Sequence, residues 1–289
     1  MRERREQVGR PEVLVPVQKA GFGVLQKPLT RESVFASATV RKAALLVLLA
    51  AAWEIGARRI DNDLVFPTFS ATVGAFWSAV RSGVLPQRTV YSLRVLLQGY
   101  GLGLLLAALL TALATATRIG SDLLELLTSM LNPLPSIALL PLAMLWFGLG
   151  NASLVFVLVH AVLWSVALNT HAGFRGVSPT LRMVGRNYGL SGARYVTKIL
   201  VPAALPGILT GLKIGWAFAW RTLIAAELVF GVSSGSGGLG WFIFENKNQL
   251  ETASVFAGLL TVILIGLGVE NLVFRTVERA TIHKWGMEH

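Results

Sequence analysis

Six apolar stretches, near residues 43–60, 93–116, 123–147, 152–170, 205–230 and 252–274, constrain this chain more than any other feature in it. A bilayer's hydrocarbon core is about 30 Å thick and a helix rises about 1.5 Å per residue, so roughly 20 apolar residues make one crossing. Inside lipid the backbone must satisfy its own hydrogen bonds, and a helix does this within each segment. The expected fold class is therefore all-α: a polytopic membrane protein with about six transmembrane helices. Composition agrees, since 14% of the 289 residues are charged, about half the share in an ordinary soluble domain.

A net charge of +11 would suit nucleic acid, but the basic residues flank apolar spans and do not gather on a water-facing domain, so no nucleic-acid partner is expected. Without cysteine there is no disulfide, thiolate metal site or cysteine nucleophile. His160, His171, His283 and His289 are too far apart in sequence for a local metal motif. No His, Asp and Glu cluster suggests acid–base chemistry. The chain is thus expected to hold no catalytic residue, metal or cofactor of its own.

Residues 1–42 are too long and too polar for a signal peptide and read as an N-terminal arm. They precede a transmembrane domain at 43–275 and a C-terminal tail at 276–289. Lysine and arginine set the orientation, because cytoplasmic loops are enriched in them. An even number of spans puts both termini on one side. With that side cytoplasmic, it holds the basic residues of the arm together with Arg118, Arg175, Arg182, Arg186, Arg194, Lys198, Arg275, Arg279 and Lys284. The other side holds Arg58, Arg59, Arg81, Arg88, Arg94 and Lys247, of which Arg58 and Arg59 run against the trend.

This orientation makes 171–204 the one long internal cytoplasmic loop. It reads as two short helices: Ser178 and Pro179 are an N-cap and first-turn pair, Gly189 closes the first helix in the left-handed conformation, Ser191 caps the second, and Pro202 ends it. Arg182 and Arg186 share a face, with apolar surface from Leu181, Met183, Val184 and Tyr188. On spacing alone the hairpin suits either a docked partner or an anionic lipid surface.

Gly189, followed ten residues later by Ile199 and then by Val201 and Pro202, resembles the "EAA" loop of bacterial ABC importer permeases. Here Met183, Val184 and Gly185 occupy the Glu-Ala-Ala positions. The stretches "WEIGARRIDNDLVFPTFSATV", "LNPLPSIALLPLAMLWFGLG", "LVPAALPGILTGLKIGWAFAWRTLIAAEL" and "GGLGWFI" are similar to permeases of the nitrate, sulfonate and taurine importer group, over most of the chain after residue 43. The resemblance implies an ABC type I importer permease fold. It also implies a homodimer in a bacterial inner membrane, a cytoplasmic ABC ATPase dimer carrying ATP-Mg, and a periplasmic solute-binding protein. Arg182, Met183, Val184, Gly185, Arg186, Gly189, Ile199, Val201 and Pro202 would then form the ATPase-coupling loop.

The chain contains no G-x-x-x-x-G-K-[ST], so ATP must be handled by another polypeptide. Gly235, Gly237 and Gly240 spell G-x-G-x-x-G without a strand–helix context and read instead as a flexible outer turn.

An ionised side chain deep in a membrane is expensive unless it is paired or faces a cavity, which singles out Arg221 in the fifth span. The reading adopted is that Arg221 faces a translocation pathway and favours an anionic solute, and Glu227 is assigned to the same pathway. The competing reading is an ion pair of Arg221 with Glu54 or Glu270. In the third span, Pro133 and Pro135, with Pro141 further on and Asn132 and Ser136 alongside, describe a broken helix of the kind tolerated where it lines a cavity. Gly99 with Gly103, and Gly207, Gly211 and Gly215, mark smooth faces for close helix packing, within one subunit or across a dimer. Trp146, Trp216, Trp220 and Trp241 read as interface anchors and His160 as a packing residue. The function expected is the permease subunit of an ATP-driven importer; the alternative is an ion-gradient-driven secondary transporter.

Overall fold

A computed structural model describes residues 38–230 and 237–283. The described residues are helical, with no strand among them. What the sequence leads one to expect of residues 1–37, of Gly235 and of residues 284–289 concerns positions outside these ranges.

In chain order the helices are α1 (Ala38–Ile60), α2 (Phe69–Arg81), α3 (Val84–Ala116), α4 (Arg118–Leu131), a 3-10 turn (Ser136–Leu139) leading into α5 (Leu140–Phe147), and α6 (Asn151–Arg175). There follow α7 (Pro179–Asn187), α8 (Gly192–Ala203), α9 (Leu205–Phe230), α10 (Leu239–Asn248) and α11 (Thr252–Thr281). Their ends follow local chemistry. Thr68 accepts from Ala71 N–H at 3.2 Å to start α2, and Thr117 accepts from Gly120 N–H at 2.9 Å to start α4.

Three helices, α3, α6 and α11, are long and apolar enough to cross a bilayer, and five spans result if each of two bent pairs counts as one. The expected third span is one of these pairs: α4 and the Ser136–Phe147 segment meet at 87°. The other pair, α8 and α9, meets at 75°. Of the six expected spans, the first does not meet the same measure. Arg41 and Lys42 lie near the start of α1, and Glu54, Arg58 and Arg59 near its end. The uncharged run between them, residues 43–53, covers only about 16 Å. Arg58 is paired with Glu54 at 2.8 Å, which offsets part of the charge that runs against the orientation rule.

The core is a three-helix seam of α3, α6 and α9, where Val95, Leu96, Val157, Leu158, Val162, Ala219 and Leu223 are buried. Glycine makes the seam possible. A Cβ at Gly99 would fall 2.5 Å from Leu158 Cβ, and one at Gly103 would fall 2.8 Å from Val162 Cβ. Further along α6, Cβ atoms at Gly207, Gly211 and Gly215 would press on Gly173, Asn169 and Val166. Both stripes therefore serve packing within one chain. Two of the expected tryptophan anchors belong to the same bundle: Trp220 is buried and donates to Val262 O at 3.3 Å, and Trp216 packs edge-on against Tyr100.

Candidate translocation site

The 87° break in the third span follows from its prolines. A proline has no N–H to donate, so Pro133 and Pro135 end the hydrogen-bonding ladder that α4 carries as far as Asn132 N–H on Thr128 O at 3.0 Å. Pro135 is extended (φ −60°, ψ 119°), the 3-10 turn begins at Ser136, and Pro141 occupies the first turn of α5, where a missing N–H costs nothing.

This break forms one wall of a cavity of about 350 Å³. Asn132, Pro133, Pro135 and Ser136 line it from the break, His160, Trp164 and Ser165 from α6, and Phe218, Arg221 and Thr222 from α9. The fold thus brings together five of the six residues assigned to a pathway. Among the described residues no aspartate or glutamate lines it. Arg221 is exposed; its Nε donates to Ala217 O at 3.0 Å and its guanidinium lies 5.1 Å from the Phe218 ring centre. Glu54 and Glu270, the acids considered as its partners, are engaged elsewhere. Glu54 accepts from Arg58 and from Ser70 N–H at 2.9 Å, and Glu270 pairs with Lys213 at 3.0 Å.

Two further polar atoms at this cavity lack partners: Trp164 Nε1 and His160 Nε2 are buried with no hydrogen bond. His160 Nδ1 is 3.1 Å from Ser136 Oγ. When that hydroxyl donates to Nδ1, Nε2 carries the proton. Indole N–H, imidazole N–H and guanidinium then make a donor-rich, acid-free lining suited to an anion. Sequence reading set His160 aside as a packing residue and passed over Trp164. The available signal was their spacing, a polar pair four residues apart within an apolar span.

Glu227 differs from its assignment and does not line the cavity. Its side chain is buried and accepts from Ser92 Oγ at 2.8 Å and from Gly240 N–H at 2.8 Å, while Ser92 Oγ accepts from Leu239 N–H at 2.8 Å. This carboxylate ties the start of α10 to α3 and α9. Arg88 adds a bond to Gly237 O at 2.8 Å. The glycines here allow close approach: a Cβ at Gly240 would lie 2.5 Å from Glu227 Cβ. That geometry, and not a flexible turn, accounts for Gly240, and at Gly237 a Cβ would run into Trp241 Cβ.

In the 171–204 segment, Ser178 accepts from Leu181 N–H at 3.3 Å, Pro179 is in the first turn, and Gly189 has φ +70°. Ser191 stands at the start of α8 without a capping hydrogen bond. Pro202 does not end this helix, which passes through a π turn at Val196–Leu200 and stops at Ala203. The residues assigned to the loop divide into two groups. Met183, Val184 and Arg186 are exposed, beside an 81% exposed Tyr188. Arg182 instead turns back to donate to Phe174 O at 2.6 Å and Val177 O at 3.0 Å, holding the end of α6. Gly185 is buried, so that a Cβ there would meet Ile199 Cγ1 at 2.9 Å, and Val201 packs on a small core of Phe174, Val177, Leu200 and Ala204.

A multi-pass chain whose described residues are helical, with a cavity of mixed lining holding an arginine between broken spans, and a helical hairpin presenting an apolar and basic face, has the build of a membrane transport subunit. Comparison with known proteins makes this specific. Residues 99–281 match the family described as binding-protein-dependent transport system inner membrane component, and the chain belongs to that family. A protein of Methanocaldococcus jannaschii provisionally named an ABC transporter permease is 31% identical over 79% of this chain and 86% of its own. A protein of Escherichia coli provisionally named the aliphatic sulfonates transport permease SsuC is 31% identical over 70% and 75%. The nitrate import permease protein NrtB of a Synechocystis strain is 31% identical over 58% and 61%. The chain is a permease subunit of an ABC importer, without an ATPase site of its own, and the family works with an ATPase and a solute-binding protein. Membership decides against the secondary-transporter alternative.

Proposed function

We propose that two copies of this chain, in a bacterial inner membrane, form the pathway for a small anionic solute. A sulfonate, taurine or nitrate is the class that fits, delivered by a periplasmic binding protein. A cytoplasmic ABC ATPase dimer carrying ATP-Mg docks on the exposed face of α7 and α8. The observation that carries the solute class is the cavity around Arg221, where among the described residues the guanidinium has no carboxylate partner, no acid lines the wall, and the unpaired Trp164 and His160 nitrogens lie close by. Names of the relatives point the same way, since sulfonates and nitrate are both oxyanions.

Anion passage follows from these groups acting in turn. A solute released into the cavity exchanges part of its water shell for the Arg221 guanidinium, with Trp164 Nε1 and His160 Nε2 as buried donors behind the wall that a small side-chain shift brings to it. Arg221 supplies the compensating charge, and its exposure keeps the attraction weak enough for release.

The test is ATP-dependent uptake in proteoliposomes containing permease, ATPase and binding protein, with labelled taurine or nitrate against a neutral solute. Arg221→Gln is expected to abolish anion uptake while the complex still assembles. Unchanged anion uptake in that variant would overturn the assignment.

A further inference from the structure

The 171–204 segment shelters a second, larger cavity of about 710 Å³. Ala108, Thr111 and Ala112 of α3 form one wall, Phe174 of α6 another, and Tyr195 and Leu200 of α8 close the end. Its size is that of a site for an amphiphile, well beyond what a small oxyanion needs. Three observations define what would fill it.

The first is its open side. Ala108 and Ala112 are exposed on α3, one of the helices long and apolar enough to cross a membrane. The second is charge. Arg186 lines the cavity, is exposed, and has no ion-pair partner among the described residues, and no acid contributes to the lining. Arg182 lies beside it with Nε and Nη2 already committed to main-chain carbonyls. The third is unmet hydrogen bonding. Thr111 is 2% exposed and its Oγ1 has no partner; Tyr195 OH is likewise buried and unpartnered. Thr115, four residues on, satisfies its own hydroxyl on Thr111 O at 2.7 Å, so the empty partnership at Thr111 is not a general habit of threonine in this helix. Buried hydroxyls are ordinarily paired.

We propose that this cavity binds one anionic membrane phospholipid. An acyl chain lies along Ala108, Ala112 and Leu200, ester oxygens supply the acceptors that Thr111 and Tyr195 lack, and the phosphate sits at Arg186. Basic pockets between membrane helices at their cytoplasmic ends recognise lipid headgroups by this combination. A free phosphate would satisfy Arg186 but leave the apolar walls and inner hydroxyls unused. Because α8 forms part of the wall, the lipid braces the bend between α8 and α9. That bracing rests on the docking role proposed for the segment; the binding itself does not.

The experiment takes the full-length chain from nanodiscs of phosphatidylcholine and phosphatidylglycerol into detergent and quantifies co-purified lipid by mass spectrometry. Wild type is expected to retain phosphatidylglycerol in preference to phosphatidylcholine. Arg186→Gln should lower that retention about fivefold, on the scale of one basic residue at a membrane surface, and Arg186→Lys should restore it. Ala112→Phe, at an exposed position, should exclude the lipid with both arginines intact. Equal retention by wild type, Arg186→Gln and Ala112→Phe, each eluting and melting as folded protein, would overturn the proposal. So would full displacement by free glycerol phosphate, which would assign Arg186 to a soluble anion. Loss of the retained lipid on adding the ATPase would assign the cavity to a protein contact and overturn it equally.

Discussion

Replacing Gly99 and Gly101 with alanine, one at a time, makes the same chemical change two residues apart on one helix, and the results should have opposite signs. In a helix interior alanine is better than glycine by about 0.8–1.0 kcal/mol. At Gly101, which is exposed and has nothing within 4 Å of the added Cβ, that gain stands alone. At Gly99 the Cβ would fall 2.5 Å from Leu158 Cβ and 2.8 Å from Leu158 Cδ1. Carbon atoms settle at about 3.5–4.0 Å, so α3 and α6 must part by about 1 Å along a tightly packed face. Overpacking of this kind costs about 1–3 kcal/mol. The propensity gain is common to both variants, so the difference between them isolates the steric cost. For a domain of this size it corresponds to a melting difference of about 2–12 °C. Gly103→Ala, with Val162 Cβ at 2.8 Å, should also melt below wild type. The assay is thermal melting in detergent, followed by fluorescence-detected size exclusion. A Gly99→Ala protein as stable as Gly101→Ala would refute the claim that glycine sets the α3–α6 distance.

Three other outcomes are expected. Glu227→Ala removes a buried side chain that accepts from Ser92 Oγ and Gly240 N–H, so it should destabilise by about 1–3 kcal/mol for each donor left unpaired, with Glu227→Gln milder because one acceptor survives; melting curves of the two variants provide the check. Trp164→Phe keeps one aromatic ring but deletes the unpartnered Nε1 with part of the indole bicycle, so it should weaken anion uptake through KM and also lower the melting temperature, since the site is buried; an unchanged KM would remove the indole from the solute site. Gly189→Val places a β-branched residue at φ +70°, at a cost of about 1–2 kcal/mol or more. Co-purification of the ATPase should fall in that variant while the membrane core still folds, and a wild-type yield of ATPase would show that the bend is not needed for docking.

Residues whose meaning is local were legible in the sequence. Ser178, Pro179 and Gly189 announce a helix start and a left-handed stop, and the fold places all three in those roles. The prolines after Asn132 announce a break, although not that it would reach 87°, because an angle depends on what the broken ends pack against. Arg182 and Arg186 look alike four residues apart on one helix. One turns inward to the carbonyls closing α6 and the other stays exposed, a difference created by where α6 ends. Glu227 misled for a related reason: a charge in a span signals either a cavity or a partner, and its partners are 135 residues before it and 13 after it. Pro202 suggested a stop, and the helix does run only one residue beyond it, to Ala203, after a π turn that loosens the ladder just before the proline.

The 75° bend between α8 and α9 has a mechanical consequence. Arg221 stands 17 residues along from Ala204, about 25 Å on a straight helix. A rigid swing of about 10° about Ala204 would therefore sweep the guanidinium through about 4 Å, more than the length of a hydrogen bond. Because the glycine faces at Gly207, Gly211 and Gly215 press α9 against α6, the swing must carry His160 and Trp164 with it. Three donors would then travel as one body relative to the proline-built wall, opening or narrowing the cavity with the Ser136–His160 hydrogen bond as the contact that gives way.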